Sequence, residues 1–372
     1  MDDARFDRMV QNAAGNLGRR GMLRGSLALV TSAGLVAAAG SGTREDAAAK
    51  RKKRKKRKKP QPPQPTPCSS CADPFVCRDG ACICPSASCF VRTWGSSGSG
   101  NGQFAVPYGI AVAPSGEVFI GDAGNAPAIP SRVHRFSAAG EFLGRWDGSA
   151  GGGTAFLNVF GVAVASNGEV LVADSSRGKV LRYSPTGSFI GEFGSAVAFA
   201  TPQGIAVAPN GEVYVTDTAS DMVYRFDPAG TPLGDWGGQG SEAGKFNAAV
   251  GIAIGPNGSV YVADSGNDRI QRFSAAGRFR GLWGTTGLEE GEFRIPTGIA
   301  AAANGDVFVA DLANSRIQRF TATGGFVSQW GGSGTENGRF LAAYSVATAP
   351  NGNVYVTDTI AVRVQQFATG AA

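Results

Sequence analysis

From Phe104 to the C-terminus, short apolar runs alternate with turn signals in a unit of about 47 residues that recurs six times. Each copy opens on a small-residue run at Gly109, Gly161, Gly204, Gly251, Gly298 and, with serine in place of glycine, Ser345. A turn pair follows: Ser115-Gly116, Asn167-Gly168, Asn210-Gly211, Asn257-Gly258, Asn304-Gly305 and Asn351-Gly352. Such pairs between apolar runs predict hairpins, because the central residues of the favoured turns need positive φ. A second strand then ends in aspartate, a third in Arg-Phe or a close variant, and a fourth in Trp146, Phe193, Trp236, Trp283 or Trp330. No stretch keeps a 3.6-residue period, so the repeat is a unit of four strands and not a helical hairpin.

The sixth copy stops after its third strand, at Phe367. The missing fourth strand is found ahead of the first copy, in Val91-Arg92-Thr93-Trp94-Gly95. Trp94 stands 15 residues before Gly109, the same interval that separates Trp236 from Gly251. An array that borrows its last strand from its own beginning reads as a closed ring, and closure removes the open sheet edge that invites aggregation. The size gradient agrees: Gly, Ala, Val and Ile fill the first strands, where wedge-shaped blades converge, and Phe, Tyr and Trp come later. The fold class predicted is all-β, a six-bladed β-propeller occupying residues 90–372.

The runs Val260-Tyr261-Val262-Ala263-Asp264-Ser265-Gly266-Asn267-Asp268-Arg269-Ile270 and Val307 to Ile317 resemble NHL repeats, which build six-bladed propellers. The resemblance covers about three quarters of the chain and identifies a fold better than an activity, since one fold hosts many functions. NHL-like lyases hold a catalytic metal with several histidines, which this chain cannot supply. The RNA-binding role known for some animal NHL propellers is not expected either.

That last exclusion follows from charge. The formal net charge of +6 divides into +10 for residues 1–89 and −4 for the remainder. The ring is mildly acidic, whereas a phosphate-binding surface needs clustered Lys and Arg on one face. The basic excess lies in the N-terminal tail. Residues 1–49 resemble a twin-arginine export signal, with Gly18-Arg19-Arg20-Gly21-Met22-Leu23-Arg24 ahead of an uncharged stretch from Gly25 to Thr43. Residues 50–67 form a linker in which every position from Lys50 to Lys59 is Lys or Arg, followed by a proline-rich stretch. It is read either as a tether to an anionic surface or as a self-repelling spacer. A basic block also resists translocation after an apolar segment. Residues 68–89 hold all six cysteines: Cys68, Cys71, Cys77, Cys82, Cys84 and Cys89. An even number in so short a segment predicts a disulfide framework in an exported protein, and a four-cysteine zinc site is the rival reading. The protein is expected to be secreted or attached to the cell surface.

Candidate chemistry is sparse. The single histidine, His134, sits on a third strand and reads as structural; no Gly-x-Ser-x-Gly elbow accompanies it. Six aspartates, Asp122, Asp174, Asp217, Asp264, Asp311 and Asp358, recur once per copy and are expected to circle one mouth of the channel. There they offer oxygen ligands for Ca²⁺ or a cationic ligand. Alternatively they serve the blades, as Asx-type turns or as partners of Arg269, Arg316 and Arg363. Departures from the repeat are better markers of a site. Five extra residues fall between Asp122 and Arg135, placing Asn125, Ala126 and Ile129 on an enlarged loop, and the connection from Phe193 to Gly204 is four residues short. The chain therefore reads as a monomeric, non-catalytic binding module for a protein, glycan or small ligand on this loop face, with no cofactor expected. A Ca²⁺-dependent hydrolase or lyase working in the channel is the alternative.

Overall fold

The computed structural model describes residues 76–78, 81–83, 88–125 and 127–369. The readings placed on residues 1–67, on Cys68, Cys71 and Cys84, and on Ala126 lie outside the described residues. Ahead of the ring, Val76–Arg78 and Ala81–Ile83 pair as a small hairpin with Cys77 opposite Cys82.

Six four-stranded antiparallel sheets follow, numbered as blades one to six. Blade four shows the plan: Ala249–Ile254, Val260–Asp264, Arg269–Phe273 and Phe279–Trp283, each strand beside the next. The second strands of blades one to five are buried at every position. That is why they read as continuous apolar runs and not as alternations. The fourth strands of blades one and two alternate between half-buried and exposed positions, as expected where one face packs and the other meets water.

Blade six is assembled from both ends of the ring: Ala343–Thr348, Asn353–Asp358, Arg363–Thr369 and, as its outermost strand, Ser88–Trp94. The register sets Trp94 opposite Val364 and Phe90 opposite Phe367. Thr93 Oγ1 donates to the Val364 carbonyl at 2.9 Å.

The core is divided among the seams. Six apolar clusters lie one between each pair of neighbouring blades. At the outer end of most seams an aromatic ring from one fourth strand lies on a turn glycine of the next blade. A Cβ on Gly187 would come within 2.6 Å of Trp146, and one on Gly140 within 2.9 Å of Trp94. Both glycines also have positive φ, so they serve turn geometry and close approach together. Hydroxyls stitch the seams nearer the axis: Thr218 Oγ1 donates to Ala249 O, Ser265 Oγ to Pro296 O and Thr359 Oγ1 to Pro107 O.

Candidate functional site

The six repeat aspartates end the second strands, and each side chain is fully buried. Asp122 Oδ1 accepts the backbone N–H groups of Ala105 at 3.0 Å and Val106 at 2.7 Å, while Oδ2 accepts from Arg132 Nε at 3.0 Å. Asp174, Asp217 and Asp358 hold the corresponding pair of amides in their own blades. These amides lie 16 and 17 residues upstream, so the motif pins the chain as it enters each blade and is not a local Asx turn. In blades four and five one amide is exchanged for side-chain donors. Asp264 accepts from Asn247 N, Asn267 Nδ2, Arg269 Nε and Gln271 Nε2, and Asp311 from their counterparts in blade five. The second amide, from Ala248 or Ile295, turns instead to Asp221 or Asp268 of the preceding blade.

The arginines do more than neutralise. Arg269 also donates to the carbonyls of Ser241, Glu242 and Lys245. Arg316 repeats the pattern with Leu288, Glu289 and Glu292. Burial raises the pKa of Asp264, Asp311 and Asp358 despite these donors. At Asp122 burial acts in the same direction, but His134, the two amides and Arg132 together outweigh it and lower the pKa.

Of the two readings that the sequence left open for these aspartates, the pairing with Arg269, Arg316 and Arg363 is the one found. The six carboxylates do not form a ring open to the channel. They are separate buried anchors whose oxygens are engaged by amides, guanidinium groups and carboxamides. Among the described residues, no group of three or more His, Cys, Asp or Glu side chains is placed to hold a metal ion. A Ca²⁺ ion at the aspartates would have to strip the loops from their anchors, so the donors do not fit it.

His134 is likewise buried. Its Nε2 stands 3.5 Å from Asp122 Oδ2, at the limit of a hydrogen bond. Phe104 packs edge-on against the imidazole with ring centres 4.9 Å apart. Burial lowers its pKa, keeping the ring neutral near pH 7. On the third strands, the same position holds Gln271, Gln318 and Gln365, each of which binds an entering loop through both ends of its amide. His134 is therefore the blade-one version of a scaffold residue.

On the aspartate-bearing face, the enlarged blade-one loop closes on itself, with Asn125 N donating to Ile129 O at 2.8 Å. Ser131 Oγ ties its end to Leu157 O of blade two at 3.0 Å. Leu157 is 56% exposed. Asn125, Ile129 and Ser131 are thus tied down at the rim.

A second group of residues on this face has no counterpart in the sequence reading. Each first strand carries a bulge at or just before the repeat Gly or Ser, a device that re-aims a side chain. The six bulged residues are Tyr108, Phe160, Gln203, Val250, Thr297 and Tyr344, all at most 6% exposed. Three aromatic rings from adjacent blades gather here. Tyr108 and Phe160 stack with centres 4.4 Å apart, and Tyr344 lies 4.6 Å from Tyr108. Leu312 and Ala342 join them in one apolar cluster, with Val106 and Ile295 packed against it. Below lies the axial cavity of about 80 Å³, lined by first strands of all six blades. Ligand pockets for drug-sized molecules run to about 300–1,000 Å³; this one accepts only a small group. The signal was present in the sequence: read down the repeats, the residue before the Gly or Ser runs Tyr, Phe, Gln, Val, Thr, Tyr, while the positions on either side stay small or aliphatic.

NHL repeats are matched at residues 199–220, 246–273 and 293–320. No curated protein sequence matches the chain. Among solved structures, a streptogramin B lyase is 15% identical, with 72% of this chain and 94% of that chain covered and a TM-score of 0.53. A gluconolactonase from Xanthomonas campestris is 16% identical, with 72% and 88% covered and a TM-score of 0.55. A chain of the nidogen/laminin complex is 15% identical, with 65% and 84% covered and a TM-score of 0.51. At these identities the likeness is one of fold, and the named activities differ among the three. The chain is a six-bladed β-propeller carrying NHL repeats.

Proposed function

We propose that this propeller is a non-catalytic binding module that holds a protein, glycan or small ligand on its aspartate-bearing face. One contrast carries the reading. On that face the repeated polar groups are engaged by the scaffold, while the non-repeating features, the blade-one loop and the aromatic mouth, are set on rigid strand ends. Rigid frames that vary their loops are common binding surfaces. The Ca²⁺-dependent hydrolase or lyase reading draws on the names of the lyase and gluconolactonase neighbours, but its carboxylates are occupied.

Export and surface attachment belong to the same proposal. Cys89 is buried near the head of the closing strand, and its place in a disulfide framework belongs to the same proposal of an oxidising compartment. Sequencing the N-terminus of the mature protein checks this, and an intact Met1 with reduced cysteines would count against it.

Binding is tested by applying the labelled full chain to a glycan array and to intact cells of the producing organism. Shortening the Asn125 to Pro130 loop, or replacing Tyr108 with serine, is expected to weaken retention at least about tenfold with unchanged circular dichroism, the scale of one lost anchor. Undiminished retention in both variants would count against the reading. Stoichiometric Ca²⁺ together with turnover abolished by one aspartate replacement would favour the enzyme.

A further inference from the structure

The axial cavity is lined by a buried carboxamide that the described residues leave unmatched. Gln203 is 3% exposed, lines the cavity, and neither its Oε1 nor its Nε2 meets a partner among the described residues. Among the other buried glutamines, Gln366 still donates to Tyr355 Oη, leaving its Oε1 unmet. Gln271 and Gln318 use both ends of their amides on entering loops and buried aspartates. A buried amide left unmatched is destabilising, so a guest that meets it gains binding free energy at this point.

The walls restrict that guest. No Asp, Glu, Lys, Arg or His lines the cavity, so a charged ligand would lose its hydration with no countercharge to replace it. A neutral guest is selected. The carboxamide presents one acceptor and one donor: a primary amide can meet both at once, while a trans secondary amide such as an N-acetyl arm, whose N–H and C=O point to opposite sides, meets one of them. Phe160 and Tyr344, which line the same space, offer apolar rings to a methyl group. About 80 Å³ admits a group of a few non-hydrogen atoms and excludes a whole sugar ring.

We propose that Gln203 anchors a subsite in the channel mouth that takes a neutral acetamido group, either as a free small amide or as the N-acetyl arm of an amino sugar lying across the aromatic mouth. The assignment rests on reading this face as a binding surface, and it names the chemistry that the centre of the face recognises.

The test uses the full chain labelled with ¹⁵N and titrated separately with acetamide, N-acetylglucosamine, acetate and glucose. Acetamide, N-acetylglucosamine or both should move the Gln203 side-chain amide resonances, while acetate and glucose leave them in place. Response to acetamide alone assigns the small-amide source, and response to the sugar alone assigns the N-acetyl arm. Gln203→Leu, of similar size without polar atoms, should weaken binding at least about tenfold, as expected for a lost hydrogen-bonded pair. Should that variant fail to fold, the wild-type resonances decide the matter unaided. No movement with either amide, or equal movement with acetate or glucose, overturns the proposal. A protein retained by the array through its rim yet silent to both amides would overturn this assignment alone and leave the binding module standing.

Discussion

Asp268 of blade four reaches across a seam to accept the backbone N–H of Ile295 in blade five at 2.7 Å. Ile295 holds φ at +54°, a left-handed conformation that β-branched residues rarely adopt. One seam earlier, Asp221 and Ala248 repeat the arrangement, with Ala248 at φ +60°. Strain of this kind persists only where surrounding bonds impose it. Asp268→Ala should therefore destabilise the ring by about 1–3 kcal/mol, the cost of a buried donor left unmatched. Urea unfolding followed by tryptophan fluorescence would show it, and an unchanged midpoint would refute the link.

Asp311 ties an entering amide, Asn314, Arg316 and Gln318 into one buried knot. Asp311→Ala leaves a guanidinium group without its carboxylate and should cost about 3–5 kcal/mol. Because burial raises the pKa of this carboxyl, its neutral form is the better tolerated in the fold. Asp311→Asn, which keeps one acceptor and no charge, should cost less than the alanine variant. Equal losses in guanidinium titrations would contradict this.

The chain has one histidine, which makes its titration separable. Burial lowers the His134 pKa from 6.5, against the pull of Asp122 and with help from Arg132 and Arg145. A group whose folded pKa is depressed supports the fold above its unfolded pKa, and that support is lost as the pH falls toward the folded value. Stability should thus decline below about pH 6.5 from this source. His134→Gln installs the residue used by blades four, five and six. Its stability should change less between pH 7.5 and 5 than that of the wild type, measured as urea midpoints. Parallel pH curves would rule out the assignment.

Trp94 packs against Tyr355 of blade six and Phe136 of blade one, with ring centres 5.9 and 6.0 Å away. Trp94→Ala should cost about 3–5 kcal/mol, as for a large aromatic removed from a packed seam. Deleting residues 88–94 exposes the Arg363–Thr369 strand as an edge, and such edges pair with other chains. Size-exclusion chromatography should then show oligomers; a monodisperse monomer would argue against a closing role.

Much of the ring could be read from residue order because each blade repeats the same physical demands. Asn257-Gly258 announces a hairpin, the run ending at Asp264 announces a buried strand, and the interval from Trp94 to Gly109 reveals the borrowed strand. The candidate site was less legible. Sequence offers Arg269 as a partner of Asp264, but nothing there shows that Asn247, Asn267 and Gln271 converge on it as well. Gln203 looks ordinary because its meaning depends on a bulge that aims it at the axis and on five counterparts from other blades. Local patterns determine what a strand buries, whereas a site at the symmetry axis is assembled from residues up to about 240 positions apart.

The union of Val364 with Trp94 spans 270 residues. Contacts this distant form late and slow folding. During synthesis the first five blades would emerge with the N-terminal ribbon still waiting for its mate, so the circle can be fastened only once Arg363–Thr369 has left the ribosome. Any processing of the leading segment must cut upstream of Ser88, since a cut beyond it would remove the clasp and leave the last blade unsealed.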